Sequence, residues 1–290
     1  MFWELITTGL SWGGIYALVG LGMVIMVKAT DVVNFAQGEL VMLGGFLAYA
    51  FFSTFAFPYY IAIVCTIILC ALIGLVMERI GFRPIISRGG VVLCMATVAF
   101  SVLLKGISRS IWGKEFLTFP PIFSAFHPLE FGNVTLNPQY LLILGLTLII
   151  IAVVVIFFGY TKLGKIMRAT SESQRGAALV GVNVGTVFSL TWGLSAALGA
   201  IAGVLIAPIT LLYPDMGHKF LIKGFAAAVM GGFTSIPGVI LGGFLMGVME
   251  NLAGFYIYTG LTDIFSFLVI FVVLLIKPTG LLGEKEIIKV

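Results

Sequence analysis
The stretch Gln139-Tyr-Leu-Leu-Ile-Leu-Gly-Leu-Thr-Leu-Ile-Ile-Ile-Ala-Val-Val-Val-Ile-Phe-Phe-Gly-Tyr160 decides the fold class. It holds no charged residue and shows no two-residue alternation of apolar and polar positions. About 20 apolar residues cross the hydrocarbon core of a bilayer as a helix, so this run reads as one transmembrane span. A barrel strand is shorter and alternates, which excludes an outer-membrane barrel here.

The rest of the chain repeats the pattern. Of its 290 residues 60% are hydrophobic and 10% charged, with a mean hydropathy of +1.17. Soluble domains carry roughly 25% charged residues. The apolar runs predict spans at 5–27, 35–57, 59–79, 91–111, 139–160, 186–212, 224–235, 238–257 and 262–276. The fold class is therefore an all-α polytopic membrane protein of 8–9 transmembrane helices, in one transmembrane domain over residues 1–290. The seventh run is short enough to cross or to re-enter. Pro208, Pro237 and many glycines interrupt the sixth to eighth runs. Broken helices need protein or water around them, and in transporters they mark the substrate path.

The net charge of +4 does not point to nucleic acid, because Lys and Arg sit in short loops between apolar runs. Arg79, Arg83 and Arg88 follow the third run, Lys162, Lys165, Arg168 and Arg175 the fifth, and Lys277, Lys285 and Lys289 the last. The positive-inside rule puts all three groups in the cytoplasm and the 112–138 loop outside. Cys65, Cys70 and Cys94 lie in apolar runs without metal-ligand spacing and read as small core residues. Leu43-Gly-Gly-Phe-Leu47 recurs as Leu241-Gly-Gly-Phe-Leu245, which suggests a parallel internal repeat as well as a coincidence of abundant residues.

Two polar groups interrupt the apolar background. Asn34-Phe-Ala-Gln37-Gly-Glu39 opens the second run, and Glu250-Asn251 lies near the end of the eighth. A carboxylate at a span is costly unless paired or wetted. Two readings stay open for Asn34, Gln37 and Glu39: lining of the translocation pathway, or capping of a helix start at the interface. Glu250 and Asn251 read either as pathway residues or as an outer-interface position. The pairs Gly199/Gly203 and Gly243/Gly247 allow close helix approach.

The segment at about 161–185 is different. Arg168, Glu172 and Arg175 alternate with small residues, and Leu179-Val180-Gly181 follows. Thr170 or Ser171 can cap a short helix here. An amphipathic helix of this kind docks into a soluble partner's groove or lies on the lipid surface. Gly159-Tyr-Thr-Lys-Leu-Gly-Lys165 imitates a phosphate loop, but Ile166 stands where Ser or Thr would hold magnesium, and the run before it is a span. No ATPase site is legible in the chain.

Six stretches together resemble the membrane permease subunits of branched-chain amino-acid ABC importers. They are Gly14-Ile-Tyr-Ala-Leu18, Val33-Asn-Phe-Ala-Gln-Gly-Glu39, Leu163-Gly-Lys-Ile-Met-Arg-Ala169, Ala177-Ala-Leu-Val-Gly-Val-Asn183, Ala226-Ala-Ala-Val-Met-Gly-Gly-Phe-Thr-Ser-Ile-Pro-Gly238 and Lys277-Pro-Thr-Gly-Leu-Leu-Gly283. That family often has His where this chain has Gln37, and a small residue where it has Thr234. Glutamine keeps hydrogen-bonding capacity but does not titrate near neutral pH. The resemblance implies an ABC importer permease fold in the bacterial cytoplasmic (inner) membrane. It implies alternating access, a second related permease, two cytoplasmic ATPase subunits that bind ATP and Mg, and an extracytoplasmic substrate-binding protein. It makes 161–185 the ATPase-coupling segment, with Arg168, Glu172, Arg175, Leu179, Val180 and Gly181 at the contact, and implies no cofactor in this chain. Urea or short amides are the alternative cargo.

An ion-coupled carrier acting alone would need ionisable groups inside the membrane. The chain offers Glu39, Lys105, Glu250 and Asp263. A membrane enzyme is less consistent with the sequence, because His127 and His218 fall in outer loops and no His, Cys or carboxylate cluster is present.

Overall fold
The structure, a computed structural model, describes residues 2–120, 129–131 and 134–283; His127, Lys285, Lys289 and the side chain of Asp263 lie outside it. The helices are α1 (Phe2–Thr30), α2 (Gln37–Tyr49, prolonged by a π turn over Ala50–Thr54), α3 (Tyr59–Val76), α4 (Gly90–Trp112), α5 (Pro138–Tyr160), α6 (Lys162–Glu172), α7 (Gln174–Leu179), α8 (Val184–Ile206), α9 (Met216–Gly231), α10 (Ile236–Tyr256) and α11 (Leu261–Ile276). A wider π turn and a 3-10 turn carry α3 on to Arg88. Strands β1 (Leu129–Phe131) and β2 (Val134–Leu136) pair antiparallel in the connection after α4, a small departure from an all-helical chain.

Each expected span has its helix. Among the described residues six are long and apolar enough to cross a membrane: α1, α3 with its extension, α4, α5, α8 and α10. Three are shorter, namely α2, α9 and α11. The seventh span begins at Met216 rather than 224. Its polar first turns, with His218, Lys219 and Lys223, hid it from a hydropathy reading. The sixth expected span, α8, stops at Ile206 instead of running to 212, two residues before Pro208. Pro237 does not interrupt α10 but sits in its first turn, where no backbone donor is lost.

The chain divides into two compact units: residues 1–24, 123–151 and 222–290 in the first, and 25–122 and 152–221 in the second. In the second unit α8 packs along both α2 and α3. The core there joins Leu40, Leu43, Cys70, Phe82, Trp192 and Ala196. Small residues permit the contact, for a Cβ on Gly44 would stand 2.5 Å from the Ala200 Cα.

The two ends of this unit are set by hydrogen bonds. At one end Arg83 donates to Gly185 O at 2.9 Å and to Ser189 Oγ at 2.8 Å. Gln174 donates to Ala29 O there at 3.3 Å. At the other end Leu117 and Leu212 exchange both backbone hydrogen bonds at 2.9 Å, and Phe119 stacks on Phe52.

In the first unit α10 packs on α1, and a Cβ on Gly243 would stand 2.6 Å from Ala17 N. Leu281 and Leu282 donate their backbone N–H groups to Met230 O and Gly231 O at 2.8 and 3.0 Å. The stretch 277–283 thus folds back on the end of α9 and satisfies carbonyls that a helix terminus leaves open. Two motifs far apart in sequence, 226–238 and 277–283, form one cap.

Candidate functional site
The chain between α1 and α2 does not turn at the end of the unit. It climbs along α4, where Phe35 N donates to Thr97 Oγ1 at 3.1 Å. Gln37 then meets Ser195 at the middle of α8. Its Nε2 donates to Ser195 O at 3.1 Å, and its Oε1 accepts from Ser195 Oγ at 2.8 Å. At 1.5 Å rise per residue Ser195 lies roughly 17 Å from either end of α8. Helix α2 therefore begins at half depth, and the expectation of an interfacial cap for Glu39 is corrected: Asn34, Gln37 and Glu39 are all buried. Asn34 shapes the entry, since its Oδ1 accepts from Ala36 N at 3.0 Å.

The connection 207–215 returns from the opposite end. Leu212 packs over Gly45, and Gly217 in the first turn of α9 packs on Gly38. A Cβ on Gly217 would stand 2.7 Å from Gly38 O, so only glycines allow the approach. The starts of α2 and α9 thus meet inside the protein. Both helix starts carry the partial positive charge of a helix N-terminus.

Charged side chains gather at this junction. Lys105 Nζ, on α4, lies 3.5 Å from Glu39 Oε1 and 3.4 Å from Asp215 Oδ1. Arg109 Nη2, one turn further along α4, donates to both oxygens of Asp215 at 2.7 Å. These hydrogen bonds hold the Asp215 carboxyl below the usual carboxylate range. Glu39 Oε2 has no hydrogen-bond partner among the described residues. His218, expected in an outer loop, sits exposed in the first turn of α9 beside Lys219. Lys105 was visible in sequence as an isolated charge in a span; its partner Asp215 was not, because it comes from a loop 110 residues on.

Glu250 and Asn251 lie in the first unit and have structural partners of their own. The reading of Glu250 as an outer-interface residue is corrected: it is buried and ion-paired with Lys223 of α9. Lys223 Nζ also reaches Tyr16 Oη at 3.2 Å. Asn251 Nδ2 donates to Leu5 O at 2.6 Å and ties α10 to the first turns of α1. Lys223 had no signal in sequence beyond its charge.

The segment 161–185 forms an elbow. Thr161 caps α6 by accepting from Gly164 N at 3.0 Å, and the short helix expected to be capped by Thr170 or Ser171 is capped by Ser173 instead. Thr170 instead bonds back to Ile166 O inside the helix at 2.9 Å. Ser173, in extended conformation, breaks the helix and caps α7 through Gly176 N at 3.0 Å. Val182 N bonds Ala177 O and Gly181 N bonds Ala178 O, both at 3.0 Å, with Gly181 at φ +87°. That is the Schellman arrangement, which needs a left-handed residue at Gly181. Asn183 then caps α8 by accepting from Thr186 N. The elbow leaves Leu179 and Val180 88% and 80% exposed, with Arg168, Glu172 and Arg175 exposed alongside and Ala177 buried. On its far side Arg83 closes a bidentate pair with buried Glu78 at 3.0 and 3.1 Å.

Helices long and apolar enough to cross a membrane, two helix starts that meet inside the second unit and a capped polar elbow between α5 and α8 fit a polytopic membrane permease. The chain belongs to the branched-chain amino acid transport system / permease component family, whose sequence model matches residues 5–274. It is a multi-pass protein of the cytoplasmic (inner) membrane. It is 28% identical to the high-affinity branched-chain amino acid transport system permease protein LivH of Salmonella typhimurium, over 100% of this chain and 98% of that one. It is 30% identical to the corresponding protein BraD of Pseudomonas aeruginosa, over 98% and 97%. Among solved structures, PsaBC from Streptococcus pneumoniae in complex with Fab matches with a TM-score of 0.52 at 13% identity, over 95% of this chain and 91% of that one. That likeness speaks for the fold alone.

Proposed function
We propose that the chain carries leucine, isoleucine or valine inward by alternating access, with the pathway at the junction of α2 and α9. Asn34, Gln37 and Glu39 line or brace it, and Glu250 and Asn251 hold the neighbouring helices. The substrate class is taken from the names of the LivH and BraD relatives. The observation that carries the site is the group Lys105, Arg109, Asp215, His218 and Lys219, partly or fully exposed beside helix starts at half depth. A lipid-facing surface does not hold such charges, whereas a water-filled path does.

The energy comes from outside this chain. Two cytoplasmic ATPase subunits bind ATP and Mg, and the elbow of α6 and α7 docks into a groove on one of them. Leu179 and Val180 serve as apolar anchors, and Arg168, Glu172 and Arg175 form the polar rim that fixes orientation. Gly181 turns the chain into α8. A second related permease and an extracytoplasmic binding protein complete the assembly.

The test is uptake by the complete transporter in proteoliposomes. Leu179→Asp puts a charge in a desolvated contact and costs about 2–4 kcal/mol there. The variant inserts but loses its ATPases or its ATP-driven uptake. Normal assembly together with normal uptake removes the elbow from the coupling role. Glu39→Ala lowers leucine uptake while the complex still assembles; full uptake returns Glu39 to a structural part. Transport of urea and not of leucine selects the other cargo.

A further inference from the structure
A cavity of about 260 Å³ opens beside the start of α9, lined by Arg109, Lys114, Phe116, Tyr213, Pro214 and Asp215. Its wall sets two cationic side chains next to one carboxylate. Phe116 and Tyr213 flank them with ring centroids 5.2 Å apart. From the wall of the cavity an ion-paired series of alternating charges runs inward. Arg109 meets Asp215 at 2.7 Å, Asp215 meets Lys105 at 3.4 Å, and Lys105 meets Glu39 at 3.5 Å. Side-chain exposure falls along it, from 54% at Asp215 to 24% at Lys105 and 2% at Glu39. The series ends on Glu39 Oε2, which is buried and has no hydrogen-bond partner among the described residues.

We propose that this cavity receives the head group of a zwitterionic α-amino acid and that the alternating charges pass it inward to Glu39. The inference rests on the reading of the chain as an amino-acid permease and extends it to the groups that recognise the cargo. The carboxylate of the amino acid meets Arg109 and Lys114. Its ammonium meets Asp215, and further in it meets the free oxygen of Glu39. The apolar side chain lies against Phe116 and Tyr213. A zwitterion carries opposite charges a few ångströms apart, so a wall of alternating charge offers it a partner for each end at every step. A purely structural ion pair between α4 and the 207–215 connection does not need Lys114.

The experiment measures ATP-driven leucine uptake by the complete transporter in proteoliposomes, normalised to assembled complex. Asp215→Asn and Arg109→Gln each lower uptake about tenfold, the change that a lost charge-assisted contact produces. The exchanged pair Arg109→Asp with Asp215→Arg keeps the tie but reverses its polarity, and uptake stays low. Recovery of wild-type uptake in the exchanged pair makes the contact a structural tie and overturns the proposal. Lys114→Gln, a change at an exposed side chain, lowers uptake about threefold. It decides the matter if the exchanged pair does not assemble, since unchanged uptake overturns the proposal. A wild-type transporter that carries urea and no leucine defeats the amino-acid reading itself, and this inference falls with it. Leucine carried by the wild type and equally by Lys114→Gln and the exchanged pair defeats the inference alone.

Discussion

Two buried carboxylates sit on two short-range ion pairs, and they are built differently. Glu250 in the first unit meets Lys223, and the same ammonium reaches Tyr16 Oη. Lys223 is only 17% exposed, so the pair is closed. Glu39 in the second unit meets Lys105, but Lys105 is shared with Asp215, and Asp215 with Arg109. That pair is open at one side and leads to an exposed cavity. A closed pair fixes helices, because removing either partner strands a charge in low dielectric. An open series has replacement partners for each charge and can exchange one for a ligand. Carboxylates with the same burial therefore serve different purposes according to what lies beyond their partners.

The largest effect is expected at the closed pair. Lys223→Met leaves Glu250 buried and unpaired with its main cation and destabilises the protein by about 3–5 kcal/mol. The melting temperature of the purified protein falls clearly, and the double variant Lys223→Met with Glu250→Gln recovers most of it. A loss in the double variant as large as in the single one would falsify the closed-pair account. Glu39→Gln is expected to cost less than about 1 kcal/mol in stability, since Lys105 keeps Asp215, while leucine uptake falls. Equal melting losses for Lys223→Met and Glu39→Gln would break the comparison.

The smallest effect concerns pH. Arg109 holds the Asp215 carboxyl below its ordinary value. A depressed folded value means stability that is present above the unfolded pKa of about 3.9 and is lost as pH falls through the folded one. Between about pH 5 and 8 this pair should add no slope to the melting curve. A slope in that range that Asp215→Asn removes would show that the carboxyl titrates higher, and that Arg109 does not hold it in the protein as it works.

Much of the candidate site was legible residue by residue. Asn34, Gln37 and Glu39 stood out because polar groups at a span are costly, and Leu179 and Val180 because they follow a run of charged residues. Their partners were not legible. Ser195 is one small residue in an apolar helix, and Lys223 looked like any loop cation beside a run misplaced by eight residues. The cap of α6 went to Thr161 because the helix starts directly after α5. Thr170 then had only an intrahelical carbonyl to bond.

The sequence by itself determined the solvent, the helices and the family. Those follow from run length, charge scarcity and local capping, which act between residues close in the chain. Tertiary structure alone decided that α2 and α9 begin at half depth and face each other across Gly38 and Gly217. It also decided that one carboxylate is sealed and another left open. These depend on which residues from distant runs share a buried volume. Hydropathy cannot encode that, because in lipid every apolar face looks alike until small residues let two backbones meet.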